Sequence, residues 1–348
     1  MKIVYLYTEV MPYLTIVLEE LAKKGHSLDV FFLDNERQTP YTAENIEGVS
    51  YHKVSVYNKD NLLQKVLDID PSLLVVCGWS NSKYNYVARY FKKKGDIPVV
   101  SPIDTQYIGR FKQILGFIIS SFFIKRLFTH IWVPGVRQYH FARMLGYAPN
   151  QILMYSLTGN LNLFQGAKIE HKSESYPKKF LFVGRYNPVK GLDCLLKAWD
   201  MIEDKKGWSI TFVGNGPLET MLKSRKDITV LDFTNQKGLA LLSEEQGVFV
   251  LPSLYEPWAL VLQEFAAAGL PIVCSDACGA SDHFVINGYN GFRFKTGSPE
   301  DLRVKLEYMM GLSSEELMIM AKRSKELSLY SNPEKSANSL LSSINFLK

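Results

Sequence analysis

The chain has 348 residues, 47% of them hydrophobic, and a formal net charge of +5. That length suits two domains of ordinary size, and that composition builds real cores, which excludes a disordered or low-complexity chain. The four cysteines, Cys77, Cys194, Cys274 and Cys278, are scattered without a C-x-x-C pair, and no apolar stretch is long enough for a transmembrane helix, so a reduced cytosolic protein is expected.

Residues 2–7 read as a first strand, too short an apolar run for a signal peptide. Leu14, Val17, Leu18, Leu21 and Ala22 recur at helical spacing, and Gly25 ends that helix. Strand-like runs follow at 28–33, 49–56, 73–77, 97–101 and 131–133, with helical patterns between most of them. Asp68-Ile69-Asp70 has D-x-D form, but it precedes Pro71 and a buried strand and reads as a helix end and loop. With no H-E-x-x-H and no cluster among the six histidines, no metal is implied. Residues 166–178 are polar and aperiodic and are assigned as an interdomain linker. A second series follows, with strands at 180–183, Ser209–Val213, Thr229–Leu231, Val248–Leu251, Ile272–Ser275 and Gly291–Phe294. Three helical patterns, near 299–310, 314–328 and 333–346, close the chain. Alternating strands and helices mean parallel sheets covered on both faces.

Three loops in the second series carry candidate chemistry. In FVGRYNPVKGLD, residues 182–193, Gly184, Arg185 and Lys190 follow a strand, and open α/β sheets bind ligands at the carboxyl ends of their strands. A cationic pair there can neutralise charge growing on a departing diphosphate, although any single Arg or Lys is more often a solvated loop cation. In FVGNGPLE, residues 212–219, Gly214 and Gly216 permit a tight turn or close backbone approach to a ligand. In the third, Pro252 and Ser253 end a buried strand and Glu256 lies in the loop. Pro257 fits the first turn of a helix running to about Ala268, where Gly269 stops it. The N–H groups of Trp258, Ala259, Leu260, Val261 and Leu262 then face out of a helix N-terminus suited to a diphosphate. Glu256 and Glu264 stand eight residues apart. That is about 12 Å at helical rise, comparable to the distance from a sugar to the ribose of a nucleotide-sugar. Without their framing, they read as two solvated glutamates on a buried strand–helix unit.

That framing is PSLYEPWAL before and AAAGLPIVCSD after, together with GR-x4-KG, GNGP, GASD and NGYNG. These motifs resemble the donor-binding signature of the retaining family 4 glycosyltransferases. The resemblance covers most of the C-terminal half with specific motifs and the N-terminal half by general pattern. It implies an α/β chain of the GT-B fold, two Rossmann-like domains facing each other across a cleft. The expected division is an acceptor-binding domain over 1–165, the linker over 166–178, a nucleotide-sugar-binding domain over 179–330, and a C-terminal helix in 331–348 crossing back to the first domain. In the family, residues matching Arg185 and Lys190 hold the donor diphosphate, that matching Glu256 lies near hydroxyls of the donor sugar, and that matching Glu264 accepts the ribose hydroxyls. A carboxylate suits the last task because it offers two acceptor oxygens to paired hydroxyls. The family often has glycine where this chain has Ala259, which narrows the space beside the sugar and diphosphate.

The N-terminal half departs from the family. The loop after the first strand is Thr8-Glu9-Val10-Met11-Pro12 rather than glycine-rich, and SPIDTQY stands where many members carry a histidine. Asp104 is the nearest polar candidate for that corner, as a catalytic group or as a cap of the next turn.

The implied function is metal-independent, retaining transfer of a sugar from a nucleoside diphosphate sugar, with UDP-sugar favoured, to a glycan or lipid-linked saccharide in bacterial-type surface polysaccharide or glycolipid assembly. No cofactor beyond the donor substrate and no nucleic acid partner is expected. A GT-B sugar-nucleotide epimerase and a non-catalytic glycan-binding subunit are the alternatives. One feature of the charge adds to this. Between Lys83 and Arg143 eleven basic residues meet two acidic ones, an excess of +9, which leaves −4 for the rest of the chain. Inside that region, FKQILGFIISSFFIKRLF, residues 111–128, is apolar and flanked by Lys112, Lys125 and Arg126. It is too short to span a bilayer. It reads either as a core helix or as an interfacial segment on an anionic membrane surface, which would make the protein peripheral on the cytoplasmic face.

Overall fold

The computed structural model describes residues 1–34, 45–109, 113, 117 and 122–347. The chain forms two compact units, one from Met1–Thr158 and Ser331–Lys348, the other from Gly159–Tyr330. The boundary therefore falls earlier than the expected linker.

The first unit is built on a parallel sheet of β1 (Lys2–Tyr7), β2 (Ser27–Phe32), β3 (Val49–Lys53), β4 (Leu73–Val76), β5 (Val99–Pro102), β6 (His130–Trp132) and β7 (Ile152–Leu153). Their order is β3-β2-β1-β4-β5-β6-β7. Continuous apolar runs become central strands because both sheet faces are covered. In β1 Ile3, Val4, Tyr5 and Leu6 are fully buried, the odd members packing into one core cluster and the even members into the other. The helix Pro12–Lys23 buries Leu14, Val17, Leu18 and Leu21 on one of these faces. The helix Pro333–Ser342 adds Ala337 and Leu340 to the same cluster, so the last helix belongs to the unit in which the chain begins. The run at 49–56 ends as a strand at Lys53 and continues as a single 3₁₀ turn, Val54–Val56. The two-residue β7 is too short to leave a periodic signal.

The second unit is a parallel sheet of β8 (Lys179–Val183), β9 (Ser209–Val213), β10 (Thr229–Leu231), β11 (Val248–Leu251), β12 (Ile272–Ser275) and β13 (Gly291–Phe294), ordered β10-β9-β8-β11-β12-β13. The strand order reverses between β8 and β11, whose carboxyl ends lead into the loops carrying Arg185 and Lys190 on one side and Glu256 on the other. A crevice at such a reversal is where open α/β sheets bind ligands.

Residues 166–178 do not form a free linker. Lys172 is fully buried, and its Nζ donates to the carbonyls of Ser243 at 2.9 Å and Gln246 at 2.8 Å. The Tyr176 hydroxyl donates to Gly247 O at 3.0 Å. The segment is thus folded into the second unit, fastened just past the carboxyl end of the helix Gln236–Ser243, where a cation meets carbonyls of the helix end. Its polar composition hid this because a lysine stem packs like an apolar chain while its ammonium is satisfied locally. Burial pushes the Lys172 ammonium down to about 7.

Of the apolar segment 111–128, only Gln113, Phe117 and residues 122–128 are described, so the membrane reading of 111, 112, 114–116 and 118–121 lies outside the described residues. Ile124, Leu127 and Phe128 are core, and Phe117 packs against the ring of Phe141 with centroids 5.4 Å apart. Phe122, at 70% exposure, and Phe123 face outward beside the exposed Lys125 and Arg126. Among the described residues no helix is long and apolar enough to cross a membrane.

Candidate active site

The loop after β8 and the loop after β9 are stacked backbone on backbone. Tyr186 N donates to Asn215 O at 2.7 Å, and Leu218 N to Tyr186 O at 2.9 Å. This explains the G-x-G. A Cβ on Gly214 would lie 2.1 Å from Gly184 O, and one on Gly216 within 2.7–2.9 Å of the Tyr186 backbone. Both glycines also adopt φ near +145°, which L side chains rarely take. The sequence offered two uses for these glycines, and the structure uses them for loop–loop packing. Gly191 closes the β8 loop with φ +68°, and a side chain there would strike Pro252 O at 2.1 Å. Leu254 N donates to Val189 O at 2.8 Å, so the two loops at the sheet reversal are also joined directly.

That joint brings Lys190 to Glu256. Their side chains, 20% and 16% exposed, form an ion pair, and Ser253 Oγ donates to the same Glu256 oxygen at 3.4 Å. Arg185 stands exposed on the same loop as Lys190. The Glu256 loop is pinned from its far side, with Gly279 N donating to Glu256 O at 3.0 Å and Ala280 N to Trp258 O at 2.8 Å. The GASD stretch thus holds the backbone of the Glu256 loop.

The helix expected from Pro257 runs from Leu260 to Ala267. Ala259, its N-terminal flanking residue, sits at φ 83° and ψ 72°, left-handed space that ends any helix extending back toward Pro257. Leu262 N is bonded to Ala259 O at 3.1 Å, so the anion-facing N–H set is narrower than the five expected and is headed by Leu260 and Val261. Glu256 lies outside the helix, and the estimate of its distance from Glu264 by helical rise does not apply. Trp258 is 2% exposed against His283 and Phe284, a packing residue beside the helix start.

Glu264 is 6% exposed, and its Oε1 accepts from Gln236 Nε2 at 2.8 Å. Burial raises its carboxyl from 4.5 to about 7, against the lowering effect of the Gln236 hydrogen bond. A buried carboxyl that, among the described residues, meets a neutral donor and no cation is a costly arrangement for stability alone, and perturbed acids of this kind gather at functional sites. Gln236 begins the helix after β10, at the carboxyl edge of the same sheet. The sequence reading passed over it, although its place just after a strand was the available signal. In the sequence Ser253 reads only as the end of a strand, and Gly159 and Gln263 carry no signal. Asp104, by contrast, is on the first unit, exposed after β5, with its carbonyl accepting from Gln138 Nε2 at 3.1 Å. Among the described residues no three His, Cys, Asp or Glu side chains gather as a metal site.

This arrangement can do three things chemically: hold an anion between Lys190, Arg185 and a helix N-terminus, accept hydroxyls at Glu256, and accept paired hydroxyls at Glu264. Comparison with known proteins agrees on the class. Residues 166–327 match the family model described as glycosyl transferases group 1. The chain is 28% identical to spore coat protein SA of Bacillus subtilis over 84% of its own length and 85% of that protein's. It is 30% identical to an uncharacterized glycosyltransferase of Methanocaldococcus jannaschii, but that match spans 36% of this chain and only 34% of the relative. Its fold is similar to that of Anabaena HepE, solved in complex with UDP and glucose, with a TM-score of 0.74 and 15% identity over 99% of both chains. The chain therefore has the GT-B fold, and its similarity to group 1 glycosyl transferases lies in residues 166–327.

Proposed function

We propose that the protein transfers a sugar, with retention and without a metal, from a nucleoside diphosphate sugar to a glycan or lipid-linked saccharide acceptor. The observation that carries this is the convergence, at the strand reversal of one sheet, of the Lys190–Glu256 pair with the helix leading to the buried Glu264. The diphosphate lies over the Leu260 and Val261 N–H groups with Lys190 and Arg185 as counter-charges, the sugar reaches Glu256, and the ribose reaches Glu264. As the leaving group departs its charge grows, and the preorganised cations and helix end stabilise it. Lys190 is already held by Glu256, so it needs little reorganisation as that charge develops. UDP is the favoured nucleotide, a reading supported by the UDP in the HepE structure. The first unit holds the acceptor, with Asp104 at the end of β5 its candidate polar contact.

The test is acceptor-dependent release of nucleoside diphosphate from a panel of sugar nucleotides, with the anomeric configuration of the product read by NMR. Release that persists in chelator and gives retained configuration supports the proposal. An epimerised sugar nucleotide without acceptor contradicts transfer, and strict Mg²⁺ or Mn²⁺ dependence contradicts the metal-free mechanism.

We also infer peripheral contact with anionic membranes through the surface that includes Phe122, Phe123, Lys125 and Arg126, supported by the excess of basic charge between Lys83 and Arg143. The protein then pellets with phosphatidylglycerol vesicles at low salt and is released as salt rises, and Lys125→Gln with Arg126→Gln weakens that binding. Indifference to such vesicles at low ionic strength excludes it.

A further inference from the structure

Next to Glu264 stands a glutamine that the proposed chemistry does not use. Gln263 is fully buried. Its Oε1 accepts from Gly159 N at 2.8 Å, and its Nε2 donates to Ser328 O at 2.9 Å. Those partners have a special place in the chain. Gly159 is the first residue of the second unit, and Ser328 lies two residues before its last, Tyr330. One side chain therefore ties together the points at which the chain enters and leaves this unit. A second observation links the same points to Glu264. A Cβ on Gly159 would stand 2.9 Å from Glu264 Cγ, although Gly159 is not among the residues with positive φ. Glycine is required there by the Glu264 side chain and not by the backbone.

We propose that Gln263 and Gly159 are positioning residues that fix the Glu264 carboxylate for the nucleotide ribose by anchoring its helix to both chain crossings. The Glu264 side chain is held on two sides, its carboxylate by a hydrogen bond from Gln236 and its Cγ by the close approach of Gly159. The amide of Gln263 sets where that contact falls. Methionine at 263 fills the same space and leaves a buried N–H and a buried carbonyl unpaired, which shifts the helix or the crossing. Alanine at 159 leaves both Gln263 hydrogen bonds in place and displaces the Glu264 side chain.

This inference rests on Glu264 holding the donor, and the test separates the two. UDP affinity is measured by titration calorimetry for the full-length wild type, Gln263→Met, Gly159→Ala and Glu264→Gln, and for each of the first two substitutions combined with Glu264→Gln. Gln263→Met and Gly159→Ala are each expected to weaken UDP binding at least about tenfold, the scale of leaving one buried polar group unpaired or misplaced. Their donor KM rises more than kcat falls. In the Glu264→Gln background both effects shrink to near nothing, because residues acting through one group are not additive. General loosening of the fold would instead add to the Glu264→Gln effect, and that result overturns the proposal. So does normal UDP affinity in Gly159→Ala, which keeps the proposal testable if Gln263→Met does not fold. If Glu264→Gln itself binds UDP normally, or the wild type binds none, the donor reading of Glu264 has failed first and takes this inference with it.

Discussion

The proposed ribose role of Glu264 would set stability and binding against each other. Its folded carboxyl is raised to about 7 by burial, above its ordinary 4.5. A raised carboxyl binds more protons folded than unfolded between those values, so stability is full below the unfolded value and is lost as pH rises through the folded one. At pH 8 the ionised form costs the fold on the order of 3 kcal/mol. Glu264→Gln should therefore melt above the wild type at pH 8, with the advantage gone at pH 4, while binding UDP more weakly at either pH. Differential scanning calorimetry across that range checks the sign, and a variant less stable at pH 8 contradicts it. Glu256 is instead paired with Lys190. Glu256→Gln should bind UDP close to wild type, since Lys190 and the helix end still face the diphosphate, yet turn over about 10²-fold more slowly. Lys190→Ala and Arg185→Ala should each lose a similar factor, the usual effect of deleting one preorganised stabiliser. Steady-state kinetics with varied donor resolves these patterns.

At the scale of elements, the helix Leu260–Ala267 starts where a strained residue permits. Ala259 in left-handed space costs about 1–2 kcal/mol that glycine would not. Ala259→Gly should raise the melting temperature without loss of UDP affinity, and a lower melting temperature would show that the Ala259 methyl packs for more than the strain costs. The sequence made the sheets legible because buried strands such as Leu73–Val76 and Val248–Leu251 are unbroken apolar runs. Spacing and resemblance also singled out Lys190, Glu256 and Glu264, and the structure pairs Lys190 with Glu256 and buries Glu264. The sequence misplaced the helix start, because Pro257 is a good first-turn residue and nothing local announces the left-handed turn two residues on. It misread 166–178, because a buried lysine and a solvated one look alike until the carbonyls of Ser243 and Gln246 are in place. Gln263 was invisible for the same reason: its partners are 104 and 65 residues away.

For the whole molecule, the return of the last helix to the first unit makes the C-terminus part of the N-terminal core. Ala337 and Leu340 are fully buried in the cluster that holds Leu14, Leu18 and Leu21. A chain ending at Tyr330 should expose that face, aggregate or melt early in its first unit, and keep UDP affinity in its second. Intact melting of the truncated chain would refute the dependence. The measurement that bears most directly on the central claim is a crystal structure of the protein with UDP-glucose. The account predicts ribose hydroxyls on Glu264, the diphosphate over the N–H groups of Leu260 and Val261 with Lys190 beside it, and the glucose hydroxyls at Glu256. A diphosphate bound away from the β8 and β11 loops, or a ribose that leaves Glu264 untouched, would contradict it.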